Sequence, residues 1–239
     1  MKRLKTEKYN KLLAKAVKQF WTTRGTQSIG KKKSDQGNRS SVTGGKQLDG
    51  FIDILVEAAK DLGVPEACIY TTGTNLPGYF RPTKDWDFLI ITPNKQLISV
   101  VEFKSQVGSF GNNFNNRTEE ALGSAVDLWT AFKEHSFPQT QPPWLGYVML
   151  VEKTEKSTTP IRLQEPYFEV RPEFRNTSYL DRYVIFCQKL MQERHYSATS
   201  LIWTNSKMKF NCPNDDISFE SFLLSFMGFI QGKLKEFQQ

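Results

Sequence analysis

Lys84-Asp85-Trp86-Asp87-Phe88-Leu89-Ile90-Ile91-Thr92, then Pro93-Asn94-Lys95-Gln96, then Leu97-Ile98-Ser99-Val100-Val101-Glu102-Phe103-Lys104 reads as two strands joined by a turn. Both flanks are rich in β-branched and aromatic residues, and Pro-Asn is a turn signal. A turn centred on Asn94-Lys95 makes Thr92 face Leu97, Ile90 face Ser99 and Asp87 face Glu102. Directly opposed residues share a face, with Cβ atoms about 4.5–5.5 Å apart. Two like charges there are destabilising unless something neutralises them, and a divalent cation would. Lys104 is two residues beyond Glu102 on the same strand, so it shares that face. Two carboxylates and an ammonium around one point suit metal-assisted phosphodiester hydrolysis. The plainer alternative is a surface carboxylate pair with Lys104 as an ordinary salt-bridge partner.

Around this hairpin the periodicity alternates between helix and strand. Residues 7–24 carry Tyr9, Leu12, Leu13, Ala16, Val17, Phe20 and Trp21 at helical spacing. Residues 25–46 then turn polar, glycine-rich and basic, and read as a long connecting segment. Gln47 to Leu62 returns to helical spacing, stopped by Gly63. Residues 67–72 read as a strand. After the hairpin, Gly108 to Arg117 reads as an irregular Gly/Asn loop, with a helix from Thr118, its N-cap, to about Glu134. A buried strand at 144–152, a loop over 153–177, a helix near 178–193, a strand at 198–204 and a helix at about 217–237 complete the chain. This order predicts an α/β or α+β core, a mixed central β-sheet flanked by helices. The whole chain, 1–239, is expected to be one domain, with 1–46 as a basic helix and loop.

The chain is 239 residues long with 38% hydrophobic and 13% aromatic residues, enough for a sizeable core. No apolar run approaches the ~18 residues of a membrane span, and the first residues lack a signal-type apolar core. The expected location is cytoplasmic. Cys68, Cys187 and Cys212 lack metal-site spacing, and with His135 and His195 as the sole histidines neither a zinc site nor a disulfide framework is favoured. Charge is uneven: residues 1–50 hold 13 Lys/Arg and 3 Asp/Glu, while the rest of the chain is net negative. A basic first segment points to a polyanionic partner or to a solvated helix. Lys31, Lys32, Lys33 and Lys46 are candidates for phosphate neutralisation, and the amides of Gly44 and Gly45 could hold a phosphate.

Within the hairpin, Asp87 and Glu102 supply hard oxygen ligands of the kind Mg²⁺ takes, with water completing its shell. Phe103 could add its backbone carbonyl, and Lys104 would orient the attacking water and stabilise charge. Asp85 competes with Asp87, since the same register sets it opposite Lys104. Glu57 and, more weakly, Asp53 could bring a further carboxylate from the neighbouring helix.

Longer stretches carry a resemblance. Arg81-Pro82-Thr83-Lys84-Asp85-Trp86-Asp87, Glu102-Phe103-Lys104-Ser105-Gln106 and Gly111-Asn112-Asn113-Phe114-Asn115-Asn116-Arg117-Thr118-Glu119-Glu120-Ala121-Leu122-Gly123 resemble the XhoI family of type II restriction endonucleases. Asp35-Gln36-Gly37 and Thr43-Gly44-Gly45-Lys46-Gln47 fit it too. The resemblance implies a restriction-endonuclease-like, PD-(D/E)xK nuclease core, Mg²⁺ dependence and cleavage of double-stranded DNA at CTCGAG after the first C. It also implies a homodimer and a cognate methyltransferase that protects the host. It places Asp87 and Glu102 on the metal and Lys104 on the water. The family's proline–aspartate pair is not contiguous here, because Pro82 lies five residues before Asp87. Arginine pairs bidentately with guanine and asparagine with adenine, so Asn113, Asn115, Asn116 and Arg117 are candidates for DNA contact, or for a loop that buttresses the site. Two other readings stay open: a structure-selective resolvase or repair nuclease of the same fold, and a catalytically inactive DNA-binding protein.

Overall fold

The computed structural model describes residues 6–30, 46–139, 141–165 and 167–238. Its centre is β5 (Leu97–Gln106), the longest strand, buried along most of its length. β4 (Phe88–Ile91) pairs with it antiparallel, and β1 (Ile69–Tyr70) pairs antiparallel with β4. On the other side lie β6 (Trp144–Glu152) and β7 (Ala198–Thr204), both parallel, and then β8 (Phe210–Asn211), antiparallel. The sheet is therefore mixed and six-stranded, in the order β1-β4-β5-β6-β7-β8. The restriction-endonuclease-like α/β architecture expected from the sequence is present.

Parallel neighbours need a crossover. α3 (Phe110–Lys133) carries the chain from β5 to β6, and α5 (Tyr179–Gln192) lies between β6 and β7. Both pack on one face of the sheet, around Leu89, Val100, Tyr147, Met149 and Leu201. The opposite face, with Phe88, Ile90, Val101, Phe103 and Val148, is covered by α1 (Thr6–Gly30), α2 (Asp49–Asp61) and α6 (Phe219–Lys233). β5 is buried from both sides, which is why its sequence is a continuous apolar run rather than an alternation. Tyr9, Leu13, Ala16, Val17 and Phe20 form the buried stripe of α1. A short helix α4 (Glu155–Thr158) interrupts the segment expected to be a plain loop.

Several boundaries differ from the sequence reading, among them the strand expected at 67–72, of which only Ile69–Tyr70 pair, after a 3-10 turn at Glu66–Cys68. Gly25 to Gly30 continue α1 rather than beginning the basic loop, while Lys31, Lys32, Lys33, Gly44 and Gly45 lie outside the described residues. The hairpin keeps the expected pairing of Ile90 with Ser99, but a bulge follows, so Ile91 rather than Thr92 faces Leu97. Thr92 instead closes the turn, donating its amide to Gln96 O and accepting from Lys95 N.

The larger correction is at Gly108–Arg117. From Phe110 onward it is the first part of α3, not an irregular loop. Thr118 is no N-cap: its hydroxyl donates to the Phe114 carbonyl inside the helix. Asparagine and glycine are weak helix formers, but tertiary packing overrides that preference. Phe110 and Phe114, one turn apart, stack on Tyr179, Tyr183 and Phe186 of α5. Gly111 is required at this crossing, because a Cβ there would stand 2.7 Å from Tyr179 Oη.

Candidate active site

The sequence between β1 and β4 forms a small ribbon outside the main sheet, which the sequence reading did not anticipate. β2 (Asn75–Pro77) pairs antiparallel with β3 (Thr83–Asp85). Leu76 and Lys84 are a facing pair, and Leu76 is buried, so Lys84 lies on the ribbon's inner side. Asp85 is exposed and hydrogen-bonded to the Asn75 side-chain amide. It stands on the ribbon, not opposite Lys104.

Asp87 lies just before β4. Its amide still donates to Val101 O, and its Oδ2 accepts the Phe103 N–H at 2.6 Å. That bond ties Asp87 to β5 between Glu102 and Lys104. Glu102 is 2% exposed, a rare burial for a carboxylate, tolerable only with partners. It has two: Lys104 Nζ at 2.7 Å and Lys84 Nζ at 3.1 Å, both on Oε1. Lys84 in turn lies 4.4 Å above the Trp86 ring. The other oxygen, Glu102 Oε2, is buried and takes no hydrogen bond.

Charge states follow from these contacts. Burial pushes the Asp87 carboxyl above its ordinary range, against the lowering effects of the Phe103 N–H and Lys104. Burial also acts upward on Glu102, but Lys104 and Lys84 together outweigh it and hold the carboxyl below its ordinary range. Burial acts downward on Lys104, and Glu102 outweighs it, so this amine stays an ammonium. Glu102 is thus ready as an anion, and Asp87 is the carboxylate that gains most from a cation.

The donor set fits a hard divalent ion that keeps much of its water. It offers an unpartnered buried Glu102 Oε2 and the neighbouring Asp87 carboxylate. Among the described residues no group of three or more His, Cys, Asp or Glu is poised to hold a metal, so a protein-only cage is not built here. Two carboxylates plus water is an arrangement Mg²⁺ accepts.

The other sequence candidates divide. Glu57 is away from the site, paired with Lys8 at 3.3 Å, and Asp53 is exposed on α2. Lys46 is exposed just before α2. Asn113 Nδ2 donates to Ser109 O and buttresses the start of α3, while Asn115 and Asn116 are exposed. Arg117 Nη1 holds Glu120 at 2.6 Å, and its Nε is buried without a hydrogen-bond partner. α3 packs beside β5, the strand that carries Glu102 and Lys104. Sequence reasoning missed Lys84; the one available signal was a lysine beside Trp86, three residues before Asp87.

Known proteins with this pattern are close at hand. The family model of restriction endonuclease XhoI matches residues 27–216. The type II restriction enzyme BstVI of Geobacillus stearothermophilus is 46% identical over 203 residues, covering 81% of this chain and 91% of that protein. The type II restriction enzyme XhoI of Xanthomonas vasicola is 44% identical over 188 residues, covering 77% of this chain and 75% of that protein. AbrI of Azospirillum brasilense, also a type II restriction enzyme, is 42% identical over 166 residues, 67% of this chain and 74% of its own. No solved structure matches the chain. With the family model spanning most of its length and three relatives matched over two thirds or more of it, the chain belongs to the XhoI family of restriction endonucleases.

Proposed function

We propose that this type II restriction endonuclease cuts both strands of DNA at CTCGAG, after the first C, leaving a four-base 5′ overhang, with Mg²⁺ as its metal. The observation that carries the chemistry is Glu102: buried, ionised, two ammoniums on one oxygen and nothing on the other. The site itself is supported by the likeness to the enzyme XhoI.

Asp87 and Glu102 hold the metal, with the Phe103 carbonyl as a further ligand. When bound, the metal acidifies a coordinated water and screens the phosphate charge. Lys104, kept protonated by Glu102, donates to the attacking water and to the charge that develops on the phosphate oxygens. Asn115, Asn116 and Arg117, on the turns of α3 nearest β5, read base edges; Asn113 fixes the start of that helix. Lys46 neutralises a backbone phosphate. A palindromic site has two-fold symmetry, so two copies of this single-domain chain act as a homodimer, one active site per strand. A cognate methyltransferase protects host DNA in the cytoplasm, where both work.

The test is digestion of mixed-sequence plasmid DNA with Mg²⁺ and then with EDTA, followed by sequencing of the fragment ends. Discrete, metal-dependent fragments with 5′ TCGA overhangs are expected. Discrete fragments with other ends would retain the endonuclease and reject the recognition site. Cleavage confined to branched DNA would favour a resolvase instead.

A further inference from the structure

The β2–β3 ribbon turns at Gly78–Pro82, and its tip exposes two large rings, Tyr79 at 52% and Phe80 at 69%. Their centroids lie 5.0 Å apart, edge to face. This turn is held rigidly. The Asp127 carboxylate, 4% exposed on α3, accepts the Tyr79 N–H at 2.9 Å, the Phe80 N–H at 2.7 Å and Arg81 Nε at 2.8 Å. Gly78 permits the approach: a Cβ there would collide with Asp127 Oδ2 and stand 2.7 Å from the Arg81 carbonyl. A buried carboxylate satisfied by three donors, only to keep two aromatic rings in water, is preorganisation for a partner.

The ribbon's other end says which partner. Lys84, two pairs from the tip, touches the catalytic carboxylate Glu102. Pro82, where the turn ends, is two residues before Lys84, about 7 Å along the strand, so the tip stands beside the carboxylate pair. The ribbon is a wall of the active site, and a protein docked on its tip would crowd the route by which DNA reaches Glu102. Arg81 spends Nε on Asp127 and leaves its side chain 40% exposed, a cation beside the two rings.

Resting on the nuclease reading above, we propose that this tip is a DNA-contact element: Tyr79 and Phe80 lie against sugars of the bound duplex beside the cut, and Arg81 reaches the adjoining phosphate. Sugar and phosphate contacts carry no sequence information, so the element adds grip and positioning rather than base identity.

The test compares wild type with Tyr79→Ala/Phe80→Ala on the duplex that the wild type cuts. Duplex affinity is read by fluorescence anisotropy in Ca²⁺, single-turnover cleavage in Mg²⁺, and self-association by light scattering. The double variant is expected to bind about 10–100-fold more weakly, as for truncated aromatic anchors of an interface, with an unchanged melting temperature, because both rings are solvent-facing. Phe80→Ser alone, at the more exposed ring, reads the same contact with less demand on the fold. Wild-type affinity and rate in both variants would overturn the proposal while leaving the nuclease reading intact. Loss of self-association with unchanged affinity for DNA would also overturn it and make the tip a protein interface. If the wild type cuts no DNA, the nuclease reading itself fails, a separate and recognisable outcome.

Discussion

The β4–β5 hairpin and the asparagine-rich start of α3 are separated by only a few residues, yet one is legible in the sequence and the other is not. In the hairpin, the pleat alternates side chains with period two and the turn sets the register, so local rules place Asp87, Glu102 and Lys104 together. At α3, local rules point to a loop, and the helix exists because Phe110 and Phe114 meet the aromatic face of α5, some seventy residues away in sequence. Chemistry held by neighbouring strands can be read from a single chain. Surfaces held by distant packing cannot.

The sharpest way to break this contrast is at the hairpin. Glu102→Gln is expected to lower the single-turnover cleavage rate by at least about 10²–10³-fold while sparing DNA binding, since the metal loses its buried anionic ligand. A near-normal rate would remove Glu102 from the mechanism. Asp87→Asn is expected to lose cleavage equally, but its effect on stability has a distinctive sign. The folded-state pKa of Asp87 is raised, so the ionised carboxylate costs the metal-free fold stability at neutral pH, and that cost disappears as acid protonates it. The metal-free variant should therefore melt higher than wild type at neutral pH, with the gain shrinking towards the ordinary aspartate range. A gain that grows in acid would mean the wrong sign for Asp87.

At α3 the comparable intervention is on packing. Phe114→Ala should destabilise the protein by about 2–4 kcal/mol in urea titration, because the ring bridges Tyr179, Tyr183 and Phe186. A loss below about 0.5 kcal/mol would show that the helix is held locally after all, and that the sequence should have revealed it.

The legible part of the molecule has a physical boundary. The strands at 88–91, 97–106, 144–152 and 198–204 announce themselves as apolar runs because the sheet is covered on both faces. The β2–β3 ribbon does not, since three-residue strands carry too little pattern, and with it went Lys84, the second cation on Glu102. Asp87 and Glu102, as opposed like charges, need a neutralising partner, and two lysines already supply part of that neutralisation on Oε1, leaving Oε2 bare. The hairpin register favours Asp87 over Asp85, and the structure separates them further: the Phe103 N–H draws Asp87 onto β5, and Asn75 keeps Asp85 on the ribbon.

Arg117 sharpens the comparison from the side of recognition. Its Glu120 pair lies at the surface and contributes little to stability, so Arg117→Ala should leave the urea midpoint nearly unchanged. If its guanidinium reads guanine, the variant loses about 1–3 kcal/mol of discrimination at one position of the site, measured as relaxed cleavage of single-mismatch duplexes. Unaltered discrimination would return Arg117 to a purely structural role beside Glu120.

The smallest expected effect tests the far end of the contrast, where sequence reading rests on charge alone. Lys46 is exposed beside Gln47 and α2, where it acts electrostatically on the Asp49 carboxyl. A single phosphate contact contributes affinity that is independent of sequence and released by salt. Lys46→Ala should therefore weaken binding to cognate and unrelated duplexes alike, and reduce the slope of log K against log salt by about 1. If the slope is unchanged, the basic N-terminal charge is a solvated face at this position, and charge counting locates no contact without a structure to place it. If cognate binding falls and unrelated binding does not, Lys46 belongs with α3 among the residues that read bases, and the division between grip and recognition would have to be redrawn.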